Sequence, residues 1–343
     1  MSHIVPFRFK NAEKYRRTNT VDEIFCGLGR GEWGFILAGP YMGKTNLAVS
    51  LCIEASLGKN IIGLLPASPK QRKVLFVPYE EGMANIYERF YSVSSDLPVH
   101  DRETFESNFS LYSDFEPLLS KGTQYTSPNS SFSKLTEEAK GFDLIIIDTA
   151  RSAMGDMDEV LDDPTFKMMI KKLASETSAA VLILHHLTKN QTRSRGDEVN
   201  STGGSGLSST QSESKYHLYL KMNKDRLTLI HTKATYAKER DKLKDSSPLK
   251  LQYTRSGMLV SDRLDLSTPP VPTKQAKDSN VSILLTPEQS HSRKRKDVNV
   301  EKLISTSDLE FNEELLNDIK ANQPKKTEDI WDEMFSDSGG KTK

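Results

Sequence analysis

The sequence has little cysteine, no net charge and no long apolar run, and each absence excludes a class of protein. Its two cysteines, Cys26 and Cys52, are too few for a disulfide framework. The 47 basic and 47 acidic residues give a formal net charge of +0, so any contact with nucleic acid needs a local patch. The longest apolar runs, 144–147 and 179–184, are too short to span a bilayer, and no apolar signal core opens the sequence. We therefore expect a soluble, cytoplasmic protein without a membrane contact.

One stretch, AGPYMGKT at residues 38–45, fits the phosphate-binding loop pattern with alanine at its first position. A strand is predicted before it at 33–37 and a helix after it at 46–57, so the loop amides would face phosphate at a helix N-terminus. Lys44 would reach the β- and γ-phosphates of ATP, and the Thr45 hydroxyl would hold Mg²⁺. The alternative is a chance glycine turn before a helix, but the order of parts favours the nucleotide site. The predicted nucleotide contacts are Ala38, Gly39, Pro40, Tyr41, Met42, Gly43, Lys44, Thr45 and Asn46.

Carboxylates follow two further predicted strands, 73–77 and 144–147. In α/β sheets, the carboxyl ends of parallel strands form the ligand-binding edge. Glu80 is chosen over Glu81 as the general base for the attacking water, because it follows its strand directly. Asp148 is suited to Mg²⁺ as the acid that ends the second strand. The alternatives are a solvated acidic cap at Glu80 and a helix cap at Asp148.

His185 and His186 end the apolar strand predicted at 179–184. A histidine at a strand tip that faces a nucleotide can sense the γ-phosphate through a hydrogen bond. Metal ligation is the alternative, but adjacent strand residues point to opposite faces and no nearby Cys/His cluster completes a zinc site.

The segment 188–206 is basic and rich in glycine. Such a loop suits contacts with the phosphates of single-stranded DNA that do not read its sequence. A disordered surface loop explains the composition equally well. The candidate DNA contacts are Lys189, Arg193, Arg195, Gly203 and Gly204.

The other elements complete an α/β fold with a mostly parallel central sheet. Periodicity predicts a helix at 165–176, with Met168, Met169, Leu173 and Ala174 toward the core. An edge strand is predicted at 109–112 and a loose loop at 123–133. Antiparallel hairpins are expected from the strands predicted at 216–220, 226–233 and 249–253.

Composition divides the chain into a polar arm at 1–20, an ATPase domain at 21–260 and a flexible tail at 261–343. The tail has too few apolar residues to fold alone. Two short apolar and acidic segments within it, 309–319 and 329–335, are typical of helices that fold into the groove of a protein partner. Docking onto the ATPase body is the alternative.

The order of these parts resembles the RecA-like ATPases, and within that group the RepA-type hexameric replicative helicases of plasmids. The resemblance covers about residues 20–260. It is carried by the phosphate loop and by the segments Asp22-Glu23, Gly27-Leu28, Gly31-Glu32, Glu80-Glu81, Ile147-Asp148-Thr149, His185-His186, Gly203-Gly204-Ser205-Gly206 and Lys233-Ala234-Thr235-Tyr236.

The resemblance implies a RecA-like P-loop NTPase core that uses ATP and Mg²⁺ and forms a homo-oligomeric, hexameric ring on single-stranded DNA. It implies that Glu80 polarises the attacking water and that His186 or His185 reports the γ-phosphate. It also implies that Lys233 reaches a nucleotide held by the neighbouring subunit, so that hydrolysis depends on assembly.

Two positions depart from the family pattern. Lys215 stands where RepA-type proteins have a finger arginine, and a lysine is a point charge without the planar fork. Ala237 replaces the glycine expected after Tyr236. Two other functions therefore stay open beside a DNA helicase: a regulatory or loader ATPase that recruits a partner through the tail, and a filament-forming recombination or repair ATPase.

Overall fold

The computed structural model describes part of the chain: residues 8–10, 13, 21–123, 125–187, 206–223 and 226–262. The chain divides into two compact units, Met1–Val271 and Pro272–Lys343, and all described residues belong to the first. The predicted tail segments 309–319 and 329–335 lie outside the described residues.

The helices predicted at 46–57 and 165–176 are found with bounds within two residues of those predicted. The helices are α1 (Lys44–Leu57), α2 (Met83–Ser94), α3 (Val99–Asn108), α4 (Ser130–Glu138), α5 (Ala150–Met154), α6 (Asp163–Thr177) and α7 (Ser208–Glu213), with a 3-10 turn at Glu239–Asp241. The strands are β1 (Glu23–Phe25), β2 (Leu28–Gly29), β3 (Trp33–Ala38), β4 (Val74–Pro78), β5 (Phe109–Leu111), β6 (Leu119–Lys121), β7 (Thr126–Pro128), β8 (Leu144–Asp148), β9 (Ala180–His186), β10 (Tyr216–Asn223), β11 (Arg226–Ala234), β12 (Leu249–Tyr253) and β13 (Leu259–Ser261).

Within the described residues, one sheet of nine strands has the order β13-β12-β11-β10-β3-β9-β8-β4-β5. The strands from β10 to β5 in this order pair in parallel, and β11, β12 and β13 extend the sheet antiparallel. The predicted α/β fold with C-terminal antiparallel hairpins is confirmed. β10 belongs to both parts, since it pairs in parallel with β3 and antiparallel with β11.

The central strands are apolar up to their carboxyl ends because helices cover both faces of the sheet. Along β9, Leu182 and Leu184 point into one core with α1, α2 and α3. Val181 and Ile183 point into a second core with α4, α5 and α6. This alternation fixes the strand register, because a slip of one residue would exchange the two faces.

The strand order brings the predicted site residues to one edge. β9 lies between β3 and β8, and Ala38 at the end of β3 pairs with His186 at the end of β9. On the far side of β8, Asp148 pairs with Pro78 at the end of β4. The carboxyl ends of these four parallel strands therefore meet beside the phosphate loop.

Two local predictions are wrong and one is confirmed. Met168 does not point to the core, since its side chain is 63% exposed, whereas Met169 is 1% exposed. The predicted loop at 123–133 contains β7 and the start of α4. β5 lies at the edge of the sheet, as expected for 109–112.

Among the described residues, none of the helices has the length and apolar character needed to cross a membrane.

The adjacent methionines of α6 allow a matched stability test. We expect Met169→Ala to lower the free energy of unfolding by about 3 kcal/mol, because it opens a cavity in the second core. Met168→Ala is expected to change it by less than about 0.5 kcal/mol, because that side chain is exposed. Urea denaturation of both variants measures the difference, and equal losses would contradict the orientation of α6.

Candidate nucleotide site

The phosphate loop connects the central strand β3 to the start of α1. Gly43 precedes the helix with φ 83°, a left-handed conformation that glycine adopts readily. Tyr41 also has a positive φ, 60°, and its side chain is fully exposed. The unpaired amides at the start of a helix favour an anion, so this turn is arranged for phosphate.

Lys44 turns inward and is 6% exposed. Its Nζ donates to the carbonyl of Gly39 at 3.4 Å and contacts Nδ1 of His186 at 3.0 Å. Burial lowers the pKa of Lys44, against the nearby charges of Glu80 and Asp148. Burial, and then the charge of Lys44, also lowers the pKa of His186. A neutral imidazole whose Nδ1 accepts a hydrogen bond from the ammonium group of Lys44 is consistent with the lowered pKa of His186 and with that of Lys44.

A hydrogen bond joins the loop to β8: the Thr45 hydroxyl donates to Oδ2 of Asp148 at 2.8 Å. Asp148 is 2% exposed. Burial, the largest effect, raises the pKa of Asp148 to about 7, against the hydrogen bond from Thr45. The charges of Glu80 and Glu81 raise this pKa as well, and the charge of Lys44 lowers it.

The Asp148 carboxylate fits a divalent cation. Its Oδ1 is buried without a hydrogen-bond partner among the described residues. A hydroxyl, one or two carboxylates and phosphate oxygens are the oxygen ligands that Mg²⁺ takes in nucleotide sites. Thr45 and Asp148 would supply the protein's share of that set, and a cation there would offset the repulsion among the carboxylates.

The turn after β4 holds its two carboxylates differently. The amide of Glu80 donates to the carbonyl of Asp148 at 2.9 Å, and its side chain is exposed beside the site. Glu81 is half-buried and forms an ion pair with Arg89 at 2.6 Å. Because Glu81 is engaged, Glu80 is the carboxylate free to approach a bound substrate. Its role as the base stays a prediction.

Arg89 is a site residue that sequence reasoning missed. It lies on α2 and donates to Glu81 Oε1 at 2.6 Å and to Asn46 Oδ1 at 2.5 Å. It thus ties the carboxylate turn to the first turn of α1. The spacing of eight residues between Glu81 and Arg89 does not indicate a contact in the sequence. The contact with Asn46 could not be predicted either, because it depends on how α2 packs beside α1.

The paired histidines point to opposite faces of the sheet. His186 faces Lys44, whereas His185 is 1% exposed and lies in the second core, its ring 6.1 Å from that of Phe35. Of the two, His186 is the one placed to respond to a phosphate.

Lys233 and Lys215 lie near the amino-terminal ends of the parallel strands, opposite the ends that meet at the phosphate loop. Lys233 pairs with His217, which pairs with Phe35 near the start of β3. Its Nζ donates to the carbonyl of Ser212 at 2.6 Å, at the negative end of α7. Burial lowers the pKa of Lys233, and the charge of Lys215 lowers it further. Neither lysine is near the phosphate loop of its own chain.

The departure at Ala237 has a packing explanation. Gly27 has a φ of 92°, and a Cβ built on it would lie 2.8 Å from the Cβ of Ala237. The alanine methyl therefore occupies the space that the glycine leaves.

The candidate DNA contacts are outside the described residues, so the structure gives them no geometry. They are Lys189, Arg193, Arg195, Gly203 and Gly204.

A family model for an AAA domain, AAA_25, matches residues 6–192, which is more than half of the chain. The chain belongs to the AAA_25 family. The matched residues include the phosphate loop, Asp148 and His186.

Solved structures similar to this AAA domain show that its fold is that of RecA-like ATPases. The ATPase domain of G40P aligns with a TM-score of 0.50 and 13% identity, covering 74% of this chain and 96% of that one. A DnaB-like replicative helicase, described with its interactions with primase, aligns with a TM-score of 0.52 and 14% identity, covering 74% and 67%. No curated protein sequence matches the chain.

The shifted pKa of Asp148 predicts a pH-dependent cost to stability. Between about pH 4 and 7 the folded protein keeps a proton on Asp148 that the unfolded chain has released, so stability falls as pH rises. Asp148→Asn removes this dependence. Without Mg²⁺ and nucleotide, we expect the stability of the variant relative to wild type to increase by about 3 kcal/mol from pH 4 to 8. Urea denaturation across this range tests it, and a constant difference would contradict it.

Proposed function

We propose that the protein is an ATP-hydrolysing ring motor that acts on single-stranded DNA, as a RepA-type replicative DNA helicase does. The observation that carries the proposal is the meeting of five side chains at one sheet edge. They are Lys44, Thr45, Glu80, Asp148 and His186. A binding site alone would need the loop and its lysine, whereas hydrolysis also needs a metal ligand and a base.

Each of these side chains has a distinct task. Bound MgATP supplies the phosphoanhydride bond that water cleaves. Lys44 leaves His186 and pairs with the phosphates, since both contacts use the same ammonium group. Glu80 orients the attacking water and accepts its proton, because its exposed carboxylate borders the site. His186, released from Lys44, can carry a proton on Nδ1 and donate a hydrogen bond to an oxygen of the γ-phosphate.

The position of Lys233 and Lys215 supports the proposal that the protein assembles into a ring. They would serve a nucleotide only across a contact between two different surfaces, the loop edge of one subunit and the α7 side of the next. A contact of this head-to-tail kind closes into a ring when its rotation permits. Removal of Lys233 from α7 would cost its hydrogen bond to Ser212.

Action on DNA rests on likeness and on composition. Among the similar structures, one is a replicative helicase and one is the ATPase domain of G40P. The basic residues of 188–206 follow β9, the strand that ends at His186, in the sequence. A response of His186 to the γ-phosphate would therefore occur close to them along the chain. The tail segments 309–319 and 329–335 would recruit a protein partner.

The first test is Glu80→Gln. We expect ATP to bind normally and the ATPase kcat to fall at least about 100-fold, because the variant lacks the base. Strand displacement on a forked DNA should fall with it. Glu88→Gln, an exposed position on α2, is the control and should leave both activities unchanged. A wild-type protein that hydrolyses ATP but displaces no strand on any fork would favour the regulatory ATPase instead.

The second test mixes two inactive variants. Lys44→Ala lacks a working loop, and Lys233→Ala lacks the residue donated to the neighbour. In a random 1:1 ring about a quarter of the contacts combine an intact loop with an intact Lys233, so ATPase activity should return to about that fraction. If each variant alone keeps full activity, the site assignment is wrong. If Lys233→Ala is inactive and mixing restores nothing, Lys233 does not act across subunits.

A further inference from the structure

The short helix α7 packs against α6 through polar side chains. Its residues Thr210 and Gln211 are buried. From α6, Asp163, Lys167 and Lys171 contact α7, and their spacing of four residues places them on one face of the helix. Burial of polar groups is costly unless their hydrogen bonds are formed, so an interface of this kind defines the position of α7 closely.

Asp163 makes the buried part of this interface, with a side chain that is 3% exposed. Its Oδ2 accepts a hydrogen bond from the amide of Ser209 at 2.6 Å, and its Oδ1 accepts one from the amide of Thr210 at 3.0 Å. The hydroxyl of Thr210 also donates to Oδ1. The carboxylate therefore satisfies two amides in the first turn of α7, where a helix leaves its amides unpaired.

The remaining contacts between the two helices are more exposed. Lys167 donates to Ser209 Oγ at 2.9 Å and lies 3.3 Å from Glu213 Oε2. Lys171 lies 3.2 Å from Glu213 Oε1, and its side chain is 63% exposed. Exposed ion pairs contribute little to stability, whereas a buried amide left without its acceptor is costly. Asp163 therefore contributes most to the polar attachment of α7.

The last turn of α7 holds Lys233. The ammonium group donates to the carbonyl of Ser212 at 2.6 Å and to that of Gln211 at 3.5 Å. Asp163 binds the first turn of the same helix. Because a helix of six residues is only about 9 Å long, a shift of α7 at the Asp163 end also moves the carbonyls that hold Lys233.

We propose that Asp163 is a positioning residue for Lys233. By fixing α7, it sets the place from which the ammonium group would reach the nucleotide of the neighbouring subunit. The inference rests on the proposed role of Lys233 across subunits and extends that role to the residue that orients it. Asp163 acts through α7 and needs no contact with a nucleotide.

The first measurement is steady-state ATP hydrolysis by the full chain. Asp163→Asn cannot accept hydrogen bonds from both amides, because its Nδ2 group is a donor. We expect kcat to fall about tenfold and KM for ATP to stay within about twofold, because the variant's own phosphate loop is intact. Thr210→Val removes only the hydroxyl donor and should lower kcat about threefold. Glu176→Gln, at an exposed carboxylate of α6 that pairs with Lys172, is the control and should change neither constant.

Subunit mixing separates positioning from structural damage. Asp163→Asn keeps an intact loop, and the inactive Lys44→Ala keeps both Asp163 and Lys233. In a random 1:1 ring about a quarter of the contacts join an intact loop to a correctly held Lys233, so activity should rise from about one tenth to about one quarter of wild type. Damage confined to the variant's own loop would instead halve the activity, to about one twentieth.

A mixed ring with about one twentieth of wild-type activity would overturn the inference, and so would a wild-type kcat in Asp163→Asn. Both results leave the proposed role of Lys233 standing if Lys233→Ala is inactive. Full activity in Lys233→Ala would reject that role, and the positioning role of Asp163 would fail with it.

Discussion

The hydrogen bond from Thr45 to Asp148 joins the phosphate loop, which follows β3, to the end of β8. These two strands are not neighbours in the sheet. β9 separates the strand before the phosphate loop from the strand of Asp148, so the loop must reach across one strand to make the contact. That reach places His186, at the tip of β9, beneath the lysine of the loop. The order of strands thus determines which side chains can meet a nucleotide. A sheet with β3 beside β8 would exclude His186 from the site.

The side chains of the site also bury charged groups that the protein itself does not fully neutralise. Lys44 is buried near the charges of Asp148 and Glu80, and burial works against the ionised form of both Lys44 and Asp148. A buried carboxylate with one unsatisfied oxygen costs stability unless a cation joins it. MgATP would bring the cation for the carboxylates and the anion for the lysine. We infer that the groups whose burial costs stability without MgATP would also provide the affinity for it.

The central strands and the phosphate loop were predictable because their signals are local. The apolar run at 144–147 and the Lys-Thr pair after a glycine turn each have one structural solution. Met168 and Met169 could not be ranked, because both fit the apolar stripe of a helix and only the packing of α6 decides which is buried. Arg89 was missed since its partner Asn46 lies 43 residues away in sequence. Residues that close a site from distant elements depend on tertiary contacts.

The phosphate loop and Lys233 lie at opposite ends of the parallel strands, and this separation limits which nucleotide Lys233 can reach. Strands rise about 3.3 Å per residue. Lys233 pairs with His217 on β10, and His217 pairs with Phe35, which lies three residues before the end of β3. Lys233 is therefore two strands away from β3. Its side chain also shares a face with His217, in the core region opposite α1, where it is held by the end of α7. A rigid sheet cannot bring this ammonium group to its own phosphate loop.

If Lys233 takes part in hydrolysis, it does so for another subunit. Breaking its contact with Ser212 would then connect the position of α7 to the state of that neighbour's nucleotide. In the sequence, α7 follows the segment 188–206, which contains the residues proposed to hold DNA.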